Sequence, residues 1–119
     1  MARKNHDKSD IKKYIENNFS YDLDRSVEKI RPGYSFDVTC QGSVPESIIC
    51  FLESKDLEDA IRKGISLGGD SDTIACIAGS IAYAYYKEVP ESILKKVKEK
   101  LDSHLLNIIE EFNTTFLKF

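Results

Sequence analysis

The chain is 119 residues long, and 17 Lys plus Arg against 20 Asp plus Glu leave a formal net charge of −3. Apolar residues make up 41% and charged residues 31%, with six Gly and three Pro, so the composition excludes a disordered or collagen-like chain. A chain of this length buries about 65% of its unfolded surface, no basic block points to nucleic acid, and the uncharged stretch Ile74 to Tyr86 is too short to cross a bilayer.

The opening Met-Ala-Arg-Lys-Asn-His-Asp has no apolar stretch behind it, so no secretory signal is expected. Cys40, Cys50 and Cys76 are an odd set without a Cys-x-x-Cys pair, which predicts reduced thiols in a cytoplasmic protein. His6 and His104 stand alone at opposite ends, so a Cys/His zinc site is not expected. Cys50 and Cys76 lie in apolar runs and read as small core fillers. Cys40 lies beside a Gly-containing loop with no histidine to activate it.

Ser9 reads as an N-cap, and Ile11, Tyr14, Ile15 and Phe19 follow at helical spacing, predicting a helix over 10–18. Leu23, Val27 and Ile30 continue the apolar steps until Arg31-Pro32-Gly33 ends them. Tyr34, Phe36, Val38 and Cys40 alternate with polar residues as a strand would. With no second alternating run to pair with, residues 34–42 read as an extended loop packed on helices. Ser43-Val44-Pro45-Glu46 has the form of a capping box with Pro in the first turn, opening a helix with Ile48, Ile49, Phe51 and Leu52. Asp56 caps the next helix, with Leu57, Ala60, Ile61 and Ile65 on one face, and Gly68-Gly69 stops it. The following helix, 71–86, is apolar nearly all round and rich in Ala and Gly, which predicts a place in the middle of a bundle. Val89-Pro90 restarts the chain. A long apolar stripe from Ile93 to Phe116 then follows, with a break expected near Asp102-Ser103. The chain therefore reads as all-α, with roughly five to seven helices and short connections.

Gly68-Gly69-Asp70-Ser71-Asp72-Thr73 stands apart. Asp70 and Asp72 can turn their oxygens to one side of a first helical turn, and Thr73 can add its hydroxyl. An all-oxygen donor set suits Mg²⁺, Mn²⁺ or Ca²⁺ rather than zinc or copper. Paired glycines let backbone approach a ligand closely. The alternative is plain helix capping: an Asp N-cap is worth about 1 kcal/mol and an acid in the first turn roughly 0.3–1 kcal/mol. An EF-hand fails, because loop positions six and twelve counted from Asp70 are Ala75 and Ile81, and from Asp22 they are Val27 and Gly33. A dehalogenase-like Asp-x-Asp phosphatase needs a buried strand before the motif, but Leu57 to Leu67 has helical period.

The run Ile65-Ser66-Leu67-Gly68-Gly69-Asp70-Ser71-Asp72-Thr73-Ile74-Ala75-Cys76-Ile77-Ala78-Gly79-Ser80-Ile81-Ala82 resembles the C-terminal signature of the ADP-ribosylglycohydrolase family. That family includes dinitrogenase-reductase-activating glycohydrolases and ADP-ribosyl-acceptor hydrolases. The stretch from Tyr34 to Glu46 resembles the loop and helix start before this signature in bacterial members, and Met1 to Arg31 resembles the family's middle region. The resemblance implies an all-α, orthogonal multi-helix bundle. It implies a pair of Mg²⁺ (or Mn²⁺) ions that position ribose hydroxyls and activate water. Asp70, Asp72 and Thr73 match the metal ligands, which makes Asp70 and Asp72 the catalytic acids. Gln41, Gly42 and Ser43 match the substrate-side loop, joined by Gly69 and Ser71, although Ser43 can equally be only an N-cap. The implied substrate is an ADP-ribosylated protein or an ADP-ribose-like small molecule, with neither nucleic acid nor membrane as partner.

Family members are considerably longer. Their N-terminal half carries a Thr-Asp-Asp-Thr-like motif that supplies further metal carboxylates, and no Asp-Asp pair occurs in this chain. Residues 1–119 therefore read as a C-terminal half, truncated relative to the family. Such a half should hold metal weakly and be weakly active or inactive alone. It should also turn to a missing N-terminal half or to a second copy, as a homo-oligomer, to cover its apolar faces. The alternative is a non-catalytic helical remnant or interaction module, in which Asp70 and Asp72 are caps only. Lys95, Lys96, Lys98 and Lys100, interspersed with Glu99, read as a solvated helix face.

Overall fold

The computed structural model describes residues 1–117, and among them every regular element is helical. A short 3-10 helix, Ala2–Lys4, precedes seven α-helices: α1 (Lys8–Phe19), α2 (Val27–Ile30), α3 (Cys40–Leu52), α4 (Leu57–Ser66), α5 (Ser71–Tyr86), α6 (Glu91–Lys100) and α7 (Ser103–Phe116). The all-α expectation holds. The alternating segment after Gly33 forms no strand and runs as an irregular loop to Thr39.

Two helix starts differ from the sequence reading. Asp7 rather than Ser9 caps α1, its Oδ1 accepting from the Asp10 N–H at 2.7 Å. Both residues are good caps, and the earlier one adds two residues to the helix. The larger correction concerns Ser43. The helix begins five residues before Pro45, at Cys40, because Thr39 is the cap and its hydroxyl accepts from the Gly42 N–H at 3.1 Å. Ser43 is buried in the first turn, with its hydroxyl donating to the Thr39 carbonyl at 2.8 Å. Glu46 does not reach back to a cap. It is buried and accepts from Arg25 Nη1 at 2.7 Å, while its Oε2 has no hydrogen-bond partner. Pro45 lies inside the helix. Only one ladder bond is lost there, close enough to the start for the helix to tolerate it.

The described residues fall into two compact units. In the first, Met1–Glu88, the buried cluster joins Leu23, Val27 and Ile30 to Ile48, Ile49 and Cys50 of α3, and to Leu67, Ile74 and Ala78 around α5. Helix α5 packs on α4, α3 and the 3-10 helix. It is not enclosed on every side: Ile74, Ala78 and Ala82 form its buried line, while Asp72, Cys76 and Ser80 are exposed. Cys50 is a core filler as expected, but Cys76 is not. The second unit starts at Val89 and contains α6 and α7. The expected break is present: Leu101 is extended, and Asp102 caps α7 by accepting from the Leu105 N–H at 2.9 Å. Neither helix has a buried residue, and Lys95, Lys96, Lys98 and Lys100 are exposed as expected.

Candidate functional site

The acidic turn is built by two left-handed glycines. Helix α4 ends at Ser66, and Gly68 (φ 77°) and Gly69 (φ 64°) reverse the chain so that Asp70 opens α5. Gly69 is doubly constrained. A side chain there would be strained by φ, and its Cβ would stand 2.7 Å from the Tyr34 ring and 3.0 Å from the Ser35 carbonyl.

Asp70 occupies the N-cap position of α5, yet its side chain accepts no capping hydrogen bond. That separates it from Asp7, Asp56 and Asp102, each of which accepts from a first-turn N–H. Two residues on, the exposed Asp72 carboxyl has the Asp70 side chain as a neighbour. This neighbour is the main reason the Asp72 carboxyl is held below the ordinary carboxylate range, followed by the N–H groups of Thr73 and of Asp72 itself. Ser71 Oγ donates weakly to the Gly69 carbonyl at 3.4 Å, and half-buried Thr73 follows.

The second set of expected residues lies on the first turn of α3. Gln41 is exposed, Gly42 is half-buried and Ser43 is buried with its hydroxyl engaged. Tyr34 links this turn to the acidic one. Its hydroxyl donates to the Gly42 carbonyl at 2.8 Å while its ring lies against Gly69. Burial raises the Tyr34 phenol above its usual range, and the negative charges of Glu46, Asp37 and Asp70 add to the effect. Asp37 accepts from the Thr39 N–H at 2.8 Å and the Thr39 hydroxyl at 2.7 Å. A side chain at Gly42 would collide with that Asp37 carboxylate. Sequence reasoning did not single out Tyr34, Asp37 or Thr39 for these roles. Their signal was present as the unpaired alternation after Gly33, whose polar members fold the loop onto α3.

Asp70, Asp72 and Thr73 offer only hard oxygens, and Asp70 is not spent on its own helix, so the donor chemistry fits Mg²⁺ or Mn²⁺. The set is short: among the described residues no three His, Cys, Asp or Glu side chains converge as a metal-holding group.

Comparison with known proteins yields a family model, ADP-ribosylglycohydrolase, that matches residues 4–117. ADP-ribosylhydrolase ARH3 of Bos taurus is 46% identical over 63 residues, covering 42% of this chain and 17% of that protein. The Danio rerio ARH3 is 39% identical over 72 residues, covering 51% of this chain and 20% of its own length. An uncharacterized protein of Archaeoglobus fulgidus is 34% identical over 80 residues, covering 66% of this chain and 25% of that one. The matched segment thus spans only a minor part of each curated relative. No solved structure matches.

Proposed function

From a chain that belongs to the ADP-ribosylglycohydrolase family, as the match over residues 4–117 establishes, we propose part of a divalent-metal site for hydrolysing ADP-ribosyl linkages. Asp70, Asp72 and Thr73 would hold Mg²⁺ or Mn²⁺ as part of a two-metal site. Asp70 and Asp72 are its catalytic acids because they would bind the reacting assembly directly. One observation supports the reading: Asp70 stands at the N-cap position of α5, yet its side chain accepts no capping hydrogen bond. A bound divalent ion would orient the ribose hydroxyls and lower the pKa of water. The chain's own contribution is positional. Gly68 and Gly69 turn the acids into place, and Tyr34 ties that turn to Gly42 beside Gln41. Gln41, Gly42, Gly69 and Ser71 are the substrate-side groups in this reading. Ser43 contributes through the fold of its turn, since its hydroxyl is buried and bonded to Thr39.

The substrate is an ADP-ribosylated protein or an ADP-ribose-like small molecule. The missing acids come from a complementary acidic half or from a second copy, and residues 1–119 alone are an incomplete catalyst. A reducing cytoplasm suits the three free thiols, and no described helix is long and apolar enough to cross a membrane. The test is release of ADP-ribose from a modified peptide with Mg²⁺ or Mn²⁺, with and without a family N-terminal half. Release only in the complemented mixture, and its loss in Asp72→Asn, is the expected result. No release from either mixture refutes the proposal.

A further inference from the structure

Outside the acidic turn, the most complete binding geometry surrounds the Lys8 ammonium. Nζ donates to the Phe51 carbonyl at 3.0 Å, the Leu52 carbonyl at 3.1 Å, the Ser54 carbonyl, and the Tyr86 hydroxyl at 2.8 Å. The rings of Phe51, Tyr86 and Tyr85 stand around it, with centroids 5.0, 5.3 and 5.8 Å away. The Tyr86 hydroxyl donates its own hydrogen to the Ser54 carbonyl at 2.6 Å, which leaves a lone pair for the ammonium. Two of the carbonyls close α3, where the helix dipole favours a cation. Ring faces alone would suit any cation. The four oxygens demand N–H donors as well, and a primary ammonium meets them with three N–H groups, one shared between two acceptors.

We infer that the C-terminal end of α3 together with Tyr85 and Tyr86 is an ammonium-receiving site, filled in this chain by its own Lys8. Its ligand class is a primary alkylammonium. A quaternary ammonium, with no N–H, leaves the carbonyls unmet. The consequence is a latch: one amine fastens the start of α1 to α3 and α5, across more than forty residues of sequence.

The experiment replaces Lys8 and supplies the amine from solution. Lys8→Ala removes the stem from Cγ to Nζ, which n-propylammonium matches in length. Losing several charge-assisted bonds should lower Tm by about 10 °C. Adding n-propylammonium chloride should recover at least half of that fall, saturably, whereas tetramethylammonium and sodium chloride at equal concentration should not. If Lys8→Ala does not fold, the same titration is read as recovery of the far-UV helical signal. Lys8→Met, which keeps an apolar stem, should melt well below the parent. An equal response to all three salts, no response to n-propylammonium, or a Lys8→Met variant as stable as the parent would each overturn the inference.

Discussion

Thr39 makes three hydrogen bonds to two neighbours at once. Its hydroxyl accepts the Gly42 N–H and donates to Asp37 Oδ1, and its N–H donates to the same oxygen. These bonds keep the Asp37 carboxyl below the usual carboxylate range, the hydroxyl contributing most and the backbone N–H next. The sign of the pH dependence follows. A carboxylate depressed in the folded state adds stability above its unfolded pKa of about 3.9, and that share disappears as pH falls through the folded value. Thr39→Val removes the hydroxyl and keeps the N–H. The Asp37 carboxyl should then titrate closer to its ordinary range in a side-chain NMR titration. The lost cap should cost about 1 kcal/mol in urea unfolding at neutral pH. An unmoved Asp37 titration would mean that the hydroxyl does not set it. At this scale the sequence was readable where chemistry is local, as in the glycine pair that turns the chain before Asp70. It was not readable where two good caps compete. Asp7 wins over Ser9, and Thr39 over Ser43, because a helix extends to the earliest cap whose following residues find partners. Cys76 was misplaced for a related reason: an apolar neighbourhood in sequence does not say which side of a helix faces out.

At the scale of elements, the close fit of α4 on α5 positions the acidic turn between them. Gly64 makes that approach possible. A Cβ there would stand 3.1 Å from Ala75 Cα and 3.2 Å from its nitrogen, and backbone atoms cannot swing aside. A Cβ at Gly79 would likewise stand 3.1 Å from Ile61 Cγ1 of the other helix, here a side-chain atom. Gly64→Val gains nothing from helix propensity large enough to offset this overlap, since a residue in place of Gly contributes at most about 1 kcal/mol. Overpacking costs about 1–3 kcal/mol. The variant should therefore unfold at lower urea with an unchanged m-value, and metal binding at the turn should weaken with it. Stability equal to the parent would show that the helices can part without cost. The small-residue run in 71–86 signalled this close packing. It did not signal that one side of α5 stays open, because Ala, Gly and Ser are compatible with a neighbour and with solvent alike. Helix existence was legible from apolar spacing throughout, including the break before α7. The start of α3 was hidden because Pro45 reads as a first-turn residue in sequence.

For the whole molecule, ligand number decides. Two carboxylates and one hydroxyl give a divalent ion few of the six or more oxygens it takes, so water must supply the rest. Mn²⁺ binding to this chain alone should be weak, with Kd on the order of millimolar. It should be absent in Asp72→Asn, with helicity unchanged, because Asp72 is exposed and carries none of the core. Added acids should tighten it at least tenfold, and their source can be read from how the gain depends on concentration. If a second copy provides them, affinity should rise with the concentration of this chain itself, and sedimentation should show a dimer that metal stabilises. Helix α7 would offer such association apolar side chains to cover: Ile108, Phe112 and Phe116 are 49%, 52% and 59% exposed. If a complementary half provides the acids, affinity should be flat in chain concentration and rise only when a polypeptide bearing the family's adjacent acid pair is added. Equal Mn²⁺ affinity in the parent and Asp72→Asn would remove the metal from the account and leave the Asp70–Asp72 pair as a feature of the helix start. The sequence carried this prediction in what it lacks, since no Asp-Asp pair occurs anywhere in the 119 residues. What it could not carry is the orientation of Asp70, because an acid before a helix is written identically whether it caps that helix or turns away from it.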